Sequence, residues 1–125
     1  MNLNQVTIPS LDVETATEFY KKLGLKLIVK SLPRYVRFEC PDGDSTFSIH
    51  KVEALPKGNG IILYFEVDNL PETISDLKQK GITFNTEILE QPWLWNEAYL
   101  NDPDGNAIII YHAGKNRKNP PWRIN

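Results

Sequence analysis

Two side chains are suited to moving protons near neutral pH: His50 in "TFSIHK" and Glu97 in "WNEAYLN". A histidine titrates there unaided, and a pocket can shift a carboxyl into the same range. Together they form an acid/base candidate pair. Arg37, in "YVRFEC", adds a planar fork of donors that could grip a carboxylate or a developing enolate oxygen. Gln5, Glu39, Tyr64, Glu66, Tyr99 and Tyr111 are further candidates for holding a substrate. Trp93 and Trp95, in "EQPWLWNEAY", offer two indoles either as an aromatic pocket wall or for packing on another module or subunit.

Most of these residues recur at every second position of strand-like runs, and such alternation collects them on one face. Gln5 and Thr7 oppose Val6 and Ile8. Tyr35, Arg37 and Glu39 oppose Val36, Phe38 and Cys40, while Ser48 and His50 oppose Phe47 and Ile49. Later in the chain Ile62, Tyr64 and Glu66, then Glu97 and Tyr99, then Ile109 and Tyr111 repeat the pattern. His112 has the opposite parity from Tyr111 and reads as a structural strand-end residue. So polar a face calls for water, a ligand or a metal if it is enclosed; the alternative is a sheet face that is simply wet.

The elements that carry these faces occur twice. "VTIPSLDVETATEFYKKLGLKLI" (Val6 to Ile28) predicts strand, helix, strand, with Asp12 as N-cap and Gly24 closing the helix. "LYFEVDNLPETISDLKQKGITF" (Leu63 to Phe84) repeats the design, with an Asp68/Asn69 cap region and Gly81 as terminator. Each copy ends on a Pro-Asp-Gly hairpin, "CPDGDSTFSIHK" and "DPDGNAIIIYHA". One more strand fits between helix and hairpin, "KLIVKS" in the first copy and "TFNTEI" in the second. Each half therefore reads β-α-β-β-β, an α+β design.

With 125 residues the chain has room for one compact domain with a real core. The boundaries expected are a single domain over 1–112, with modules of about 3–50 and 61–112, a linker at 51–60 and a tail at 113–125. A net charge of −2 offers nothing that would draw a nucleic acid or an anionic membrane. No run approaches the length of a membrane span, no signal peptide is evident, and one cysteine, Cys40, cannot form an intrachain disulfide. The setting expected is reducing cytoplasm.

Paired βαβββ modules with Pro-Asp-Gly before the last strand resemble the vicinal oxygen chelate superfamily. That group includes glyoxalase I, extradiol dioxygenases and the bleomycin resistance proteins. The likeness runs from residue 3 to 112 and is carried by "NQVTIPSLDVETATEFYKKLGL" and "LNDPDGNAIIIY". It implies strands curled around a cup, a small-molecule ligand and a homodimer. It also implies a divalent metal with one ligand on the first and last strand of each module. Carried over by motif, those positions are Gln5, Ser48 (or His50, two residues on), Ile62 and Ile109. Isoleucine has no donor atom, so the usual metal site is absent or rebuilt, and a rebuilt site would draw on Gln5, Glu39, His50 and Glu97.

Two functional classes follow from the resemblance, weighed on these residues. One is a lyase or isomerase that moves a proton next to a carbonyl, with His50 and Glu97 as acid and base. The other is a metal-free binding or drug-sequestering protein without turnover. The paired isoleucines favour the second and the acid/base residues favour the first.

Overall fold

A computed structural model describes residues 1–124. The chain divides into two units: residues 1–60 with the turn 102–105, and residues 61–101 with 106–125. Each is a four-stranded mixed sheet with one α-helix, in keeping with the α+β class and the repeated βαβββ order. Among the described residues no helix is long and apolar enough to cross a membrane.

In the first unit, strand β1 (Gln5–Ser10) leads into helix α1 (Val13–Leu23), followed by β2 (Lys26–Ser31), β3 (Tyr35–Glu39) and β4 (Thr46–Lys51). The sheet order is β1-β4-β3-β2, with β1 parallel to β4 and the other pairs antiparallel. Asp12 caps α1 by accepting from the Thr15 amide at 3.1 Å, which satisfies a donor that the first turn leaves orphaned. Gly24 ends the helix at φ 112°, a left-handed conformation that costs a residue without a Cβ little. The strand parity is the one expected: Phe47, Ile49, Val36 and Phe38 are buried on one face together with Tyr20 of α1. The Tyr20 ring packs 4.7 Å from Phe47 and 6.3 Å from Phe38, so the helix is seated by aromatic contact.

The turn at Asp102-Pro103-Asp104-Gly105 belongs with this first unit. The Tyr20 hydroxyl donates to Asp102 Oδ2 at 2.7 Å, and the Leu11 amide donates to Asp104 Oδ1 at 2.9 Å. Gly105, at φ 86°, allows the amide of that turn to return to the Asp102 carbonyl at 3.0 Å.

The second unit runs β5 (Ile62–Glu66), α2 (Leu70–Gln79), β6 (Leu89–Glu90), β7 (Asn96–Asn101) and β8 (Ala107–His112), then a 3₁₀ turn at Gly114–Arg117. Its sheet order, β5-β8-β7-β6, repeats that of the first unit. Asn69 caps α2 through the Glu72 amide, and Leu70, Ile74 and Leu77 turn their apolar side chains inward. Leu63, Ile108, Ile110, Ala98 and Leu100 form the buried side of the sheet.

One predicted element is corrected. The strand expected at "TFNTEI" does not form, and only Leu89–Glu90 pairs with β7. Asn85 donates its amide to the Tyr99 carbonyl, while the Tyr99 amide goes to the Thr86 side-chain hydroxyl, not to a backbone carbonyl. A threonine hydroxyl that takes over one ladder position ends regular pairing there.

Candidate functional site

The polar face of the first unit is arranged in rungs across the sheet. Gln5, Thr46 and Glu39 share one rung, Thr7, Ser48 and Arg37 the next, and Pro9, His50 and Tyr35 the third. Its side chains largely satisfy one another. Gln5 Nε2 donates to Ser48 Oγ at 2.8 Å, Thr7 and Ser48 hydroxyls meet at 2.6 Å, and Thr46 donates to Gln5 Oε1. Arg37 Nε donates to the Tyr35 hydroxyl at 2.9 Å with its guanidinium 5.5 Å from that ring. The Ser48 hydroxyl, and then the Arg37 guanidinium, favour the phenolate and hold the Tyr35 pKa below the usual tyrosine range. Glu39 pairs with Lys26 at 3.5 Å, and His50 is exposed.

The sequence-predicted residues of the second unit come together more closely. Glu97, on β7, is only 1% exposed, yet it carries a carboxylate. Its Oε1 accepts from the Tyr99 hydroxyl at 2.8 Å and from Gln91 Nε2 at 3.1 Å, and its Oε2 accepts from Trp93 Nε1 at 3.2 Å. Gln91 also donates to the Tyr99 hydroxyl at 3.1 Å, which closes a ring of bonds around the carboxylate. The hydrogen bond that Glu97 accepts from Tyr99 pushes the Tyr99 pKa up; burial and then the Glu97 charge do the same for Tyr64.

Beside this group lies an aromatic wall. Trp95 stacks on Tyr111 with centroids 4.7 Å apart and planes inclined by 18°. Tyr64 meets both rings edge-on at 6.0 and 5.5 Å. Ile109, Tyr111 and Ala113 are the buried heart of this cluster, with Trp95 and Tyr99 packed against it. This face of the second unit is thus largely aromatic and apolar around the Glu97 carboxylate, where alternation alone suggests a polar surface. Glu66 serves the wall from below: its Oε2 accepts the Ala113 and Gly114 amides at 2.8 and 2.9 Å, and its Oε1 lies 3.6 Å from Arg117 Nε. Trp95 Nε1 donates to the Asn116 carbonyl at 3.3 Å, so the segment after β8 fixes the indole in place. His112 Nδ1 lies 2.8 Å from the Val67 carbonyl, a structural contact in keeping with its opposite parity.

A cavity of about 410 Å³ opens on this face, lined by Ile62, Tyr64, Asn85, Trp93, Glu97, Tyr99 and Ile109 among others. Its volume falls within the range of small-molecule sites. Tyr64, Trp93, Glu97 and Tyr99 were legible as candidates, whereas Gln91 and Asn85 were not. Gln91 sits in an irregular loop where no periodicity marks its direction. Leu94 adopts φ 69° between the two tryptophans, a left-handed conformation that branched side chains seldom take. The Leu94 amide returns to the Gln91 carbonyl at 3.0 Å, so this tight turn presents Trp93 to Glu97 and Trp95 to Tyr111.

The residues at the superfamily's metal positions do not fit a divalent ion. Ile62 and Ile109 offer no donor atom and line the cavity with hydrocarbon. Ser48 Oγ is engaged by Gln5 and Thr7. Among the described residues no group of three His, Cys, Asp or Glu side chains is placed to hold a metal ion. Of the alternative set, Glu39 and His50 stand four residues apart in register along β4, about 13 Å at 3.3 Å per residue.

A model of the glyoxalase-like domain matches residues 3–113. The uncharacterized protein YraH of Bacillus subtilis (strain 168) is 26% identical over 127 residues, covering 89% of this chain and 98% of that protein. Among solved structures, a glyoxalase/bleomycin resistance protein/dioxygenase from Nocardioides is similar, with a TM-score of 0.79 at 19% identity, covering 100% of this chain and 90% of the other. Lactoylglutathione lyase from Agrobacterium tumefaciens superposes with a TM-score of 0.74 at 19% identity, covering 89% and 92%. The repeated βαβββ order, the Pro-Asp-Gly hairpins and the matched span agree, and the chain belongs to the glyoxalase-like domain family of the vicinal oxygen chelate superfamily.

Proposed function

We propose that the protein binds a small molecule in the cavity of its second unit, without the metal that many relatives use. The observation that carries this reading is the buried Glu97 carboxylate, set in a cavity lined mostly by aromatic and aliphatic side chains with two asparagines, Asn85 and Asn101. A polar group fixed inside an apolar concavity is what orients a ligand, while the surrounding hydrocarbon supplies the affinity. Tyr99, Gln91 and Trp93 hold the carboxylate in one orientation, and the Trp95–Tyr111 stack keeps the wall rigid. A site ordered before binding loses less entropy when the ligand enters.

A second reading, proton transfer next to a carbonyl, is favoured by the free acceptor position on Glu97 Oε2. Here Glu97 is the base, held in place by the donors Tyr99, Gln91 and Trp93. His50 stands exposed in the first unit and has no part in this version. Glu97→Gln separates the two: under the binding reading it leaves no turnover to lose, and under the catalytic one it abolishes turnover of a substrate that still binds. Superfamily membership extends both readings to a homodimer, which sedimentation equilibrium would check.

The binding reading is tested by titrating a fragment library into the labelled full chain and following chemical shifts. Perturbations at the Trp93 indole N–H and the Tyr64, Tyr99 and Ile109 amides are expected. Shifts confined to other parts of the chain, or none at all, would reject the site.

A further inference from the structure

The charge inside the cavity has no counter-charge. Among its lining residues Glu97 is the sole formally charged side chain, with no lysine, arginine or histidine. Its hydrogen-bond partners, Tyr99, Gln91 and Trp93, are all neutral. Arg117, which acts on Tyr111 of the same face, is paired with Glu66 instead. A buried carboxylate with no positive partner is costly, and such charges are ordinarily paired.

The geometry points to a ligand that brings the missing charge: a protonated amine carried on an apolar body. A carboxylate offers about four lone-pair positions. Two donors occupy Oε1, but Trp93 alone occupies Oε2, so an acceptor position stays open on the oxygen next to a cavity-lining indole. Tyr64, Trp93 and Tyr99 line the same cavity, and aromatic rings attract cations through their faces, which adds to that preference. Burial and the Glu97 charge keep Tyr64 and Tyr99 protonated, so neither phenol adds a second negative charge. Ile62 and Ile109 receive the hydrocarbon part. A carboxylate ligand would meet Glu97 with like charge and no cationic side chain among the lining residues, and is disfavoured.

This inference rests on the cavity being the binding site, and the experiment separates the two. Three probes of matched shape, 2-(1-naphthyl)ethylamine, 2-(1-naphthyl)ethanol and 1-naphthylacetate, are titrated calorimetrically into the full chain at pH 7. The amine is expected to bind at least ~10-fold more tightly than the alcohol, a difference of ~1.4 kcal/mol, with the acid weakest. Glu97→Gln is expected to bring amine and alcohol within ~3-fold of each other. With the unaltered protein, raising the pH through the amine's own pKa should remove its advantage and leave the alcohol unchanged, an arm that does not depend on a variant folding. Equal binding of amine and alcohol, tightest binding of the acid, or an amine preference that survives Glu97→Gln or deprotonation would overturn the charge assignment while keeping the cavity. Failure of all three probes would overturn the site itself and this inference with it.

Discussion

The Tyr99 hydroxyl donates to Glu97 Oε1 at 2.8 Å, so the phenol is one of three donors that a single buried carboxylate gathers around itself. Removing the carboxylate strands all three. Glu97→Ala should lower stability by roughly 2–4 kcal/mol in urea unfolding, because part-buried donors lose their partner and a void opens. Glu97→Gln keeps the volume and one acceptor, and should cost about half as much or less.

A similar argument applies to Tyr20, whose hydroxyl reaches the buried Asp102 carboxylate at 2.7 Å. Tyr20→Phe should cost roughly 1.5–3 kcal/mol, the range for a hydrogen bond to a charged group. Urea midpoints with unchanged slopes would check it.

The five tyrosines should titrate unequally. Tyr20, Tyr64, Tyr99 and Tyr111 are all pushed up, chiefly by burial or, for Tyr99, by its bond to Glu97, while Tyr35 is pushed down. For a group whose folded pKa is raised, the stabilisation is complete below the unfolded value and fades as pH rises through the folded one. Stability should therefore fall above about pH 10, the unfolded tyrosine value. In ultraviolet difference titration one phenol should ionise early and vanish in Tyr35→Phe, and the Tyr20 signal should appear only on unfolding.

Leu94 holds a left-handed backbone at φ 69° while its side chain is 49% exposed, so little packing offsets the conformational cost. Asparagine tolerates that region. Leu94→Asn should stabilise by up to ~1 kcal/mol and raise the melting temperature by about 3 °C, as read by calorimetry.

Chelation provides the check on metal independence. With Ile62 and Ile109 lining the cavity, overnight treatment with a strong chelator should leave the melting temperature and tryptophan emission unchanged. A fall in either would mean that a metal does bind.

The fold was readable because its signals are local and repeated. Alternation assigns Phe47 and Ile49 to the core and Ser48 to the other face with a period of two, and the structure keeps that register. The Pro-Asp-Gly turns and the caps at Asp12 and Asn69 are equally local. What alternation lacks is any account of what a side chain meets. Glu66 shares a face with Tyr64, but its carboxylate is spent on the Ala113 and Gly114 amides. Gln91 reaches Glu97 from a loop whose direction is set by Leu94, and the Thr86 hydroxyl replaces a strand bond that the pattern of "TFNTEI" predicts. Each depends on which partner a side chain meets, and a periodic pattern does not encode that.

The most direct test of the binding site is a crystal structure of the full chain with 2-(1-naphthyl)ethylamine at pH 7. The account predicts the ring against Ile62, Ile109 and Tyr64, with the amine nitrogen about 3 Å from Glu97 Oε2, the length of a charge-assisted hydrogen bond. A ligand seated elsewhere on the chain, with this cavity filled only by water, would contradict it.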